Sequence, residues 1–377
     1  MRLTEIIRNT FLALLFALPA LAQSFTNPVL WEDLADLDIF RVGDVYYYSA
    51  STMHYSPGAP VLRSYDLVNW EYIGHSVPVL DWSSKYSMQN GQRAYVKGIW
   101  ASTMRYRQSN GLFYWIGCIE FGTTYVYTAP SAAGPWSKKS SINNCYYDAG
   151  LLIDSDNTMY VAYGGTTISV AQLSADGLSQ VRTQVVFTSP SSIGTLEGAR
   201  FYKINGAYYI FLTRPANGQY ILRATSPWGP YAVKQVLLNM GSPISGGGVP
   251  HQGGLVETQA GKCYPLTPRP LASPTGTDRF SGTALSHQWE WNHNPDTTAF
   301  TVNNGLTLRT ASITNDLYGA RNTLTHRILG PTSSATIYLN IANMRDGDRA
   351  GLALLRDTSA WIGVQNLALA PNPAEQT

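Results

Sequence analysis

A hairpin unit recurs along this chain and limits what it can fold into more than any other feature. Its first clear copy runs from Asp36 to Tyr48: a carboxylate, a short strand-like run, a turn at Gly43-Asp44 and a tyrosine-rich exit strand. Aligning on the turn yields three more copies: Ser102 to Tyr114 around Gly111, Tyr147 to Tyr160 around Asn157, and Leu196 to Tyr209 around Gly206. A fifth begins at Gln252 and breaks off after Gly261. Hairpins repeated at about 50 residues predict a β-propeller, because one small sheet cannot bury its faces alone. Three copies carry an acid ahead of the turn, at Asp36, Asp148 and Glu197. Equivalent positions in a propeller surround one axis, so the three carboxylates are expected to converge.

Composition supports an all-β chain. The 377 residues include 24 Tyr, 10 Trp, 33 Gly and 21 Pro, with only 13% charged side chains. Aromatic residues favour strands, and Gly and Pro supply turns. The formal net charge is +2, without a run of Lys or Arg. Nucleic acid and anionic membrane surfaces therefore have no electrostatic attraction to this chain. A weakly charged, aromatic-rich surface suits neutral sugars, whose apolar faces stack on rings.

Residues 1–22 carry Arg2 and Arg8, an apolar run from Phe11 to Leu18 and a small-residue end at Ala20-Leu-Ala22. This is the pattern of a secretory signal peptide, and it predicts a secreted, extracellular protein. Export permits a disulfide. Cys118 and Cys145 flank the second and third repeats and are candidates to pair, with buried free thiols as the alternative; Cys263 is left over. The propeller is expected to occupy residues 23–262, with the fifth blade incomplete. Residues 263–277 are rich in Pro, Thr and Ser and read as a linker or an interrupted fifth blade. From 278 to 377 the alternating runs Gln288–Asn292, Gly305–Thr310 and Ala335–Ile341 predict a second all-β unit, a truncated β-sandwich.

Paired carboxylates point to glycosidic bond cleavage. One protonated carboxyl protonates the leaving oxygen, while an ionised one activates water or attacks carbon. Inverting enzymes hold the two roughly 6.5–9.5 Å apart to admit a water. Acids on different blades suit that spacing, and a third carboxylate raises the proton affinity of the acid by like-charge repulsion.

Several separated motifs sharpen this reading. Asn27-Pro28 followed by Asp36-x-Asp38-Ile-x-Arg41-Val-Gly43-Asp44-x-Tyr-Tyr resembles the opening of glycoside hydrolase family 43. So do Trp70 in Asp-Leu-Val-Asn-Trp, Gly98-Ile-Trp100-Ala, Glu197-Gly-Ala-Arg-Phe-Tyr and His251-Gln-Gly. The stretch from Gln288 to Val364 is similar to the β-sandwich appended in fungal members. The resemblance implies a five-bladed propeller that hydrolyses with inversion. Asp36 would be the general base, Glu197 the general acid and Asp148 the modulator of its pKa. Leu37 stands where the family has Pro, and Asp38, on the same side of its strand as Asp36, is the rival base. Trp100 matches a sugar-stacking tryptophan, with blade packing as its alternative. Met53 and His54 sit on the loop over the mouth, and Arg214 is a further candidate for sugar hydroxyls. His251 matches an axial histidine beside a central water or calcium. No cofactor is required; calcium at the propeller centre is optional.

The expected activity is exo-acting release of pentoses from xylan or arabinoxylan oligosaccharides. β-D-Xylosidase is favoured because a fungal-type sandwich often accompanies it, α-L-arabinofuranosidase is the close rival, and an inactive carbohydrate-binding propeller is the reading from another class.

Overall fold

The computed structural model describes residues 25–215, 218–239, 241–242, 245, 251–258 and 269–367. The signal-peptide segment, Cys263 and the first part of the 263–277 stretch, to 268, lie outside the described residues. Among the described residues there are no α-helices; the chain is strands, turns and three short 3-10 turns.

The first repeat supplies β1 (Asp38–Val42), β2 (Val45–Ser49), the two-residue β3 (Tyr55–Ser56), β4 (Gly58–Ser64) and β5 (Glu71–Val77). The second forms β6 (Thr103–Arg107), β7 (Leu112–Ile119), β8 (Thr123–Ala129) and β9 (Ser137–Ile142). The third forms β10 (Gly150–Ile153), β11 (Met159–Tyr163), β12 (Thr167–Leu173) and β13 (Gln180–Thr188). The fourth forms β14 (Glu197–Ile204), β15 (Ala207–Thr213), β16 (Gln219–Ala224) and β17 (Ala232–Leu237). Each repeat is one antiparallel four-stranded sheet in chain order, with β3 lying outside the first. At every aligned turn the expected residue is left-handed: Gly43, Gly111, Asn157 and Gly206 have φ of 62°, 69°, 67° and 77°. Gly and Asn tolerate that region, so the turn chemistry sets the hairpin register.

The cores lie between blades. Phe40 and Val61 of the first sheet pack with Met104 and Trp115 of the second. Ile116 and Val126 pack with Leu151 and Val161 of the third, and Ala162 and Val170 pack with Phe201 and Ile210 of the fourth. Burying each large apolar side chain contributes about 1.5–3 kcal/mol. Both faces of a blade meet a neighbour, so β7 is buried from Phe113 to Ile119, while the outermost strands β9 and β17 are largely exposed. Inner strands approach closely: a Cβ on Gly150 would stand 2.5 Å from the Ala199 carbonyl.

Residues 251–258 hold no strand, yet they bridge the fourth sheet to the first. Thr213 Oγ1 donates to the His251 carbonyl (2.8 Å), and the Leu255 N–H donates to Tyr202 Oη (2.8 Å). On the other side Arg41 Nε donates to the Glu257 carbonyl (3.0 Å), and Val256 packs on the Tyr46–Trp70 core. The begun fifth copy thus stands where a fifth inner strand belongs. Cys118 and Cys145 are disulfide-bonded, tying β7 to the segment that leads into Asp148.

Downstream, β18 (Trp289–Asn292), β19 (Phe300–Val302), β20 (Leu306–Leu308) and β21 (Leu324–His326) follow. Strand β18 pairs with β21 and also with β3 of the first repeat, Trp291 opposite Ser56. These strands belong to the same compact unit as the propeller, which extends to Ile328. A buried cluster fastens them: Glu290 accepts from Arg327 Nη2 (2.9 Å) and faces His75 Nε2 (3.1 Å). Residues 329–367 form a separate unit holding the hairpin β22 (Arg349–Leu354) and β23 (Ala360–Gln365).

Candidate active site

Asp36 and Asp148 sit two residues ahead of β1 and β10, and Glu197 is the first residue of β14, all at the mouth ends of their strands. Asp36 and Asp148 are themselves left-handed, with φ of 58° and 52°. Such backbone costs a non-glycine residue roughly 1–3 kcal/mol and persists only where the surroundings hold it.

Asp36 is held at both oxygens. Ser51 Oγ donates to Oδ2 (2.7 Å). The Gln252 amide, oriented to satisfy its neighbours, donates to Oδ1 (3.2 Å) and accepts from Arg200 Nη2 (2.7 Å) and Nη1 (3.1 Å). Glu197 is half-buried, and its Oε2 accepts from Tyr147 Oη (3.1 Å). Asp148 Oδ2 accepts from the Gly198 N–H (3.0 Å), one residue beyond Glu197. Burial, and then the charges of Glu197 and Asp36, push the Asp148 carboxyl up to about 7. Burial and the same three acids raise the Tyr147 phenol, which therefore stays a proton donor. The structure thus brings the three acids together, as the repeat predicted.

Arg200 is the hub beneath them. Fully buried, it donates to four main-chain carbonyls: Asp36 (2.7 Å), Leu37 (2.9 and 3.0 Å), Ala149 (2.8 Å) and Ala199 (3.0 Å). One side chain therefore fixes the backbone at all three acids. Its Nε also lies 3.7 Å from Asp38 Oδ1. Asp38 accepts from Thr103 Oγ1 (2.7 Å), the Met104 N–H (3.0 Å) and Arg105 Nη1 (2.7 Å). Burial raises its proton affinity, but Arg105 and Arg200 outweigh that and hold Asp38 below its usual range. A carboxylate so locked is a poor acceptor for a water proton, which leaves Asp36 as the exposed member of the pair.

The rim is built by main-chain bridges. Ile99 pairs with both Met53 and Ile119, bringing Met53, Trp100 and Phe121 side by side. Trp100 is half-buried, 5.9 Å from the Phe121 ring, which is 6.0 Å from Tyr147. A Cβ on Gly98, at φ 106°, would stand 2.3 Å from the Met53 carbonyl. Gly98→Ala is therefore expected to cost on the order of 2–3 kcal/mol and to raise KM through displaced Trp100. Thermal melts with steady-state kinetics check both.

The other expected site residues lie elsewhere. His54 is 5% exposed, packed among the rings of Tyr55 (4.4 Å), Tyr95 (4.7 Å) and His293 (4.7 Å). Burial holds it down at about 4, so it is a neutral packing group joining the mouth loop to the β18 segment. Arg214 is half-buried just after β15, its N–H bonded to the Gly218 carbonyl. His251 is exposed and contributes its carbonyl; the residue of that motif that reaches the acids is Gln252. The small central cavity is lined by Asp38, Arg200 and Tyr202 among apolar groups. With the Arg200 guanidinium set against its one carboxylate, that lining does not fit calcium. Among the described residues no group of three His, Cys, Asp or Glu side chains is arranged as metal ligands.

Arg200, Gln252, Tyr147 and Phe121 were not anticipated. An arginine inside an inner strand is itself a signal, because a buried charge needs partners. The His251-Gln-Gly motif marked the segment that carries Gln252, but not its reach, because its partners Asp36 and Arg200 lie on two other blades.

Comparison with known proteins places this site. The sequence profile of glycosyl hydrolases family 43 matches residues 25–276, and that of the β-xylosidase C-terminal concanavalin A-like domain matches 277–369. A β-xylosidase of Formosa agariphila is 28% identical over 91% of this chain and 75% of its own length. A non-reducing end α-L-arabinofuranosidase of Bacteroides ovatus is 34% identical over 59% of this chain and 44% of its own. A solved family 43 enzyme, engineered to display both endo-xylanase and exo-arabinofuranosidase activity, is 45% identical, with a TM-score of 0.84. It covers 92% of this chain, which covers 78% of it. With its profile spanning most of the chain and its acids gathered at the mouth of the blades, this protein belongs to glycosyl hydrolase family 43.

Proposed function

We propose that this chain is a secreted, exo-acting, inverting α-L-arabinofuranosidase that removes arabinose from xylan-type chains. The observation that carries the hydrolytic reading is the convergence of the three acids at the mouth of the blades, where burial and its two like-charged neighbours raise Asp148. In this reading Glu197 donates its proton to the glycosidic oxygen as the bond to the anomeric carbon breaks. Asp36, ionised and fixed by Ser51 and Gln252, takes a proton from the water that attacks the opposite face. The free sugar leaves with inverted configuration, and Glu197 is reprotonated from solvent.

Burial and the charges of Glu197 and Asp36 keep Asp148 protonated up to about pH 7. Asp148→Asn is expected to change the limb of the kcat/KM profile near pH 7, because the carboxyl that titrates there is gone. Activity falls roughly 10²-fold or more. Stability moves the other way. The folded carboxyl titrates near 7, above its unfolded value of 3.8. Its contribution is therefore full below about pH 4 and lost as pH rises through 7. Asp148→Asn should thus gain on the order of 1–3 kcal/mol at pH 8 relative to pH 4, read from denaturant midpoints.

Arabinose is preferred to xylose because exo-arabinofuranosidase activity is one of the two activities of the engineered enzyme that is 45% identical, and the 34%-identical relative is named an α-L-arabinofuranosidase. β-D-Xylosidase is the second reading, supported by the relative from Formosa agariphila. Assay on the two nitrophenyl glycosides tests the choice. Xyloside cleavage without arabinofuranoside cleavage overturns it, and NMR of the released anomer tests inversion. The 1–22 pattern and the Cys118–Cys145 disulfide support export.

A further inference from the structure

We propose that Phe121, with Trp100, forms a platform that stacks the xylose rings of the chain bearing the scissile sugar, making Phe121 a specificity residue for polymeric substrate. This rests on the pentosan-hydrolase reading above. Phe121 is 56% exposed, an apolar ring presented to water beside the acids. Its neighbours form a row: Trp100 on one side, Tyr147 on the other, and the Tyr147 phenol donating to Glu197. The row leads outward from the group that protonates the leaving oxygen, which is where the leaving part of the substrate must lie.

Its backbone shows that this presentation is maintained against a cost. The β7–β8 connection is three residues, Glu120-Phe121-Gly122, closing on Ile119 opposite Thr123. Glu120 and Phe121 are both left-handed, at φ 57° and 52°. Two consecutive non-glycine residues in that region are unusual, the more so with an aromatic second. The Glu120 carboxylate anchors the turn, paired with Lys85 Nζ (2.9 Å) and accepting from the buried Tyr86 hydroxyl. The Ile99–Ile119 bridge ties its base to Trp100. The Gly122 N–H donates to the Ile119 carbonyl (3.2 Å), so Glu120 and Phe121 are the two central residues of a tight hairpin turn, positions where Asn or Gly usually carries the strain. Here it falls on the residues that aim a ring at the mouth, and strained backbone gathers at ligand contacts. The apolar faces of neutral xylose rings are the ligand chemistry such rings accept. The ligand's position on the polymer side follows from the row's continuity with Glu197.

Kinetics of Phe121→Ala on an arabinoxylan oligosaccharide and on nitrophenyl arabinofuranoside test this. The expected result is a fall in kcat/KM on the oligosaccharide, carried by KM, that exceeds the fall on the nitrophenyl substrate by roughly tenfold. Phe121→Trp restores the oligosaccharide value. An equal loss on both substrates, or no loss on the oligosaccharide, overturns the platform. If the unmodified enzyme cleaves neither nitrophenyl glycoside, the hydrolytic reading has failed and binding decides. Calorimetry of xylohexaose on Glu197→Gln with and without Phe121→Ala then shows about tenfold weaker binding if the platform exists. Unchanged affinity sinks it.

Discussion

Replacing Glu197 with glutamine is expected to lower kcat by about 10²–10⁴-fold on natural oligosaccharides. Glutamine keeps the shape and still accepts from Tyr147, so the loss reports the missing proton rather than a collapsed site. The loss should shrink on dinitrophenyl glycosides, whose leaving group departs as a stable anion without protonation. An equal loss across leaving groups would reassign Glu197 away from acid catalysis. The same substitution also removes the second-largest cause of the raised Asp148 carboxyl. Asp148 should therefore titrate lower in the variant, which carboxyl NMR can follow. In Asp36→Asn the pattern differs: the loss should be nearly independent of the leaving group, because water activation rather than departure is impaired.

Arg200→Ala carries the other large effect, expected first in stability. Removing the guanidinium strips donors from the carbonyls of Asp36, Leu37, Ala149 and Ala199. It also leaves buried Asp38 with Arg105 as its remaining cation. Breaking a buried charge network this way costs about 3–5 kcal/mol. Arg200→Lys should recover little, since one ammonium cannot serve carbonyls on the first, third and fourth blades together. Denaturant midpoints measure this, and a lysine variant as stable as the parent would contradict the hub. Folded protein should also lose activity, because Asp36 and the residue after Asp148 both hang on the same side chain.

The blades were legible because their signals are local. Gly43, Gly111, Asn157 and Gly206 mark turns that demand left-handed backbone, and the strands between them are short and aromatic. The three acids were legible for the same reason, being fixed by their offset from those turns. His54 was misleading: its loop does lie at the mouth, but His293 and Tyr95 pack over it from far along the chain. His251 sits in a motif whose reach to the acids belongs to Gln252.

What the chain order alone determined, then, was a ring of hairpins with Asp36, Asp148 and Glu197 at equivalent positions, since periodicity and turn chemistry act over a few residues. What tertiary structure decided was which carboxylate is locked in a buried network and which stays partly exposed. Asp36 and Asp38 are two residues apart and chemically identical. Thr103 and Arg105 from the second blade and Arg200 from the fourth lock Asp38, while Ser51 and Gln252 leave Asp36 at the mouth. Proton affinity and access depend on charges and donors within a few ångströms, and those are supplied by residues remote in the chain.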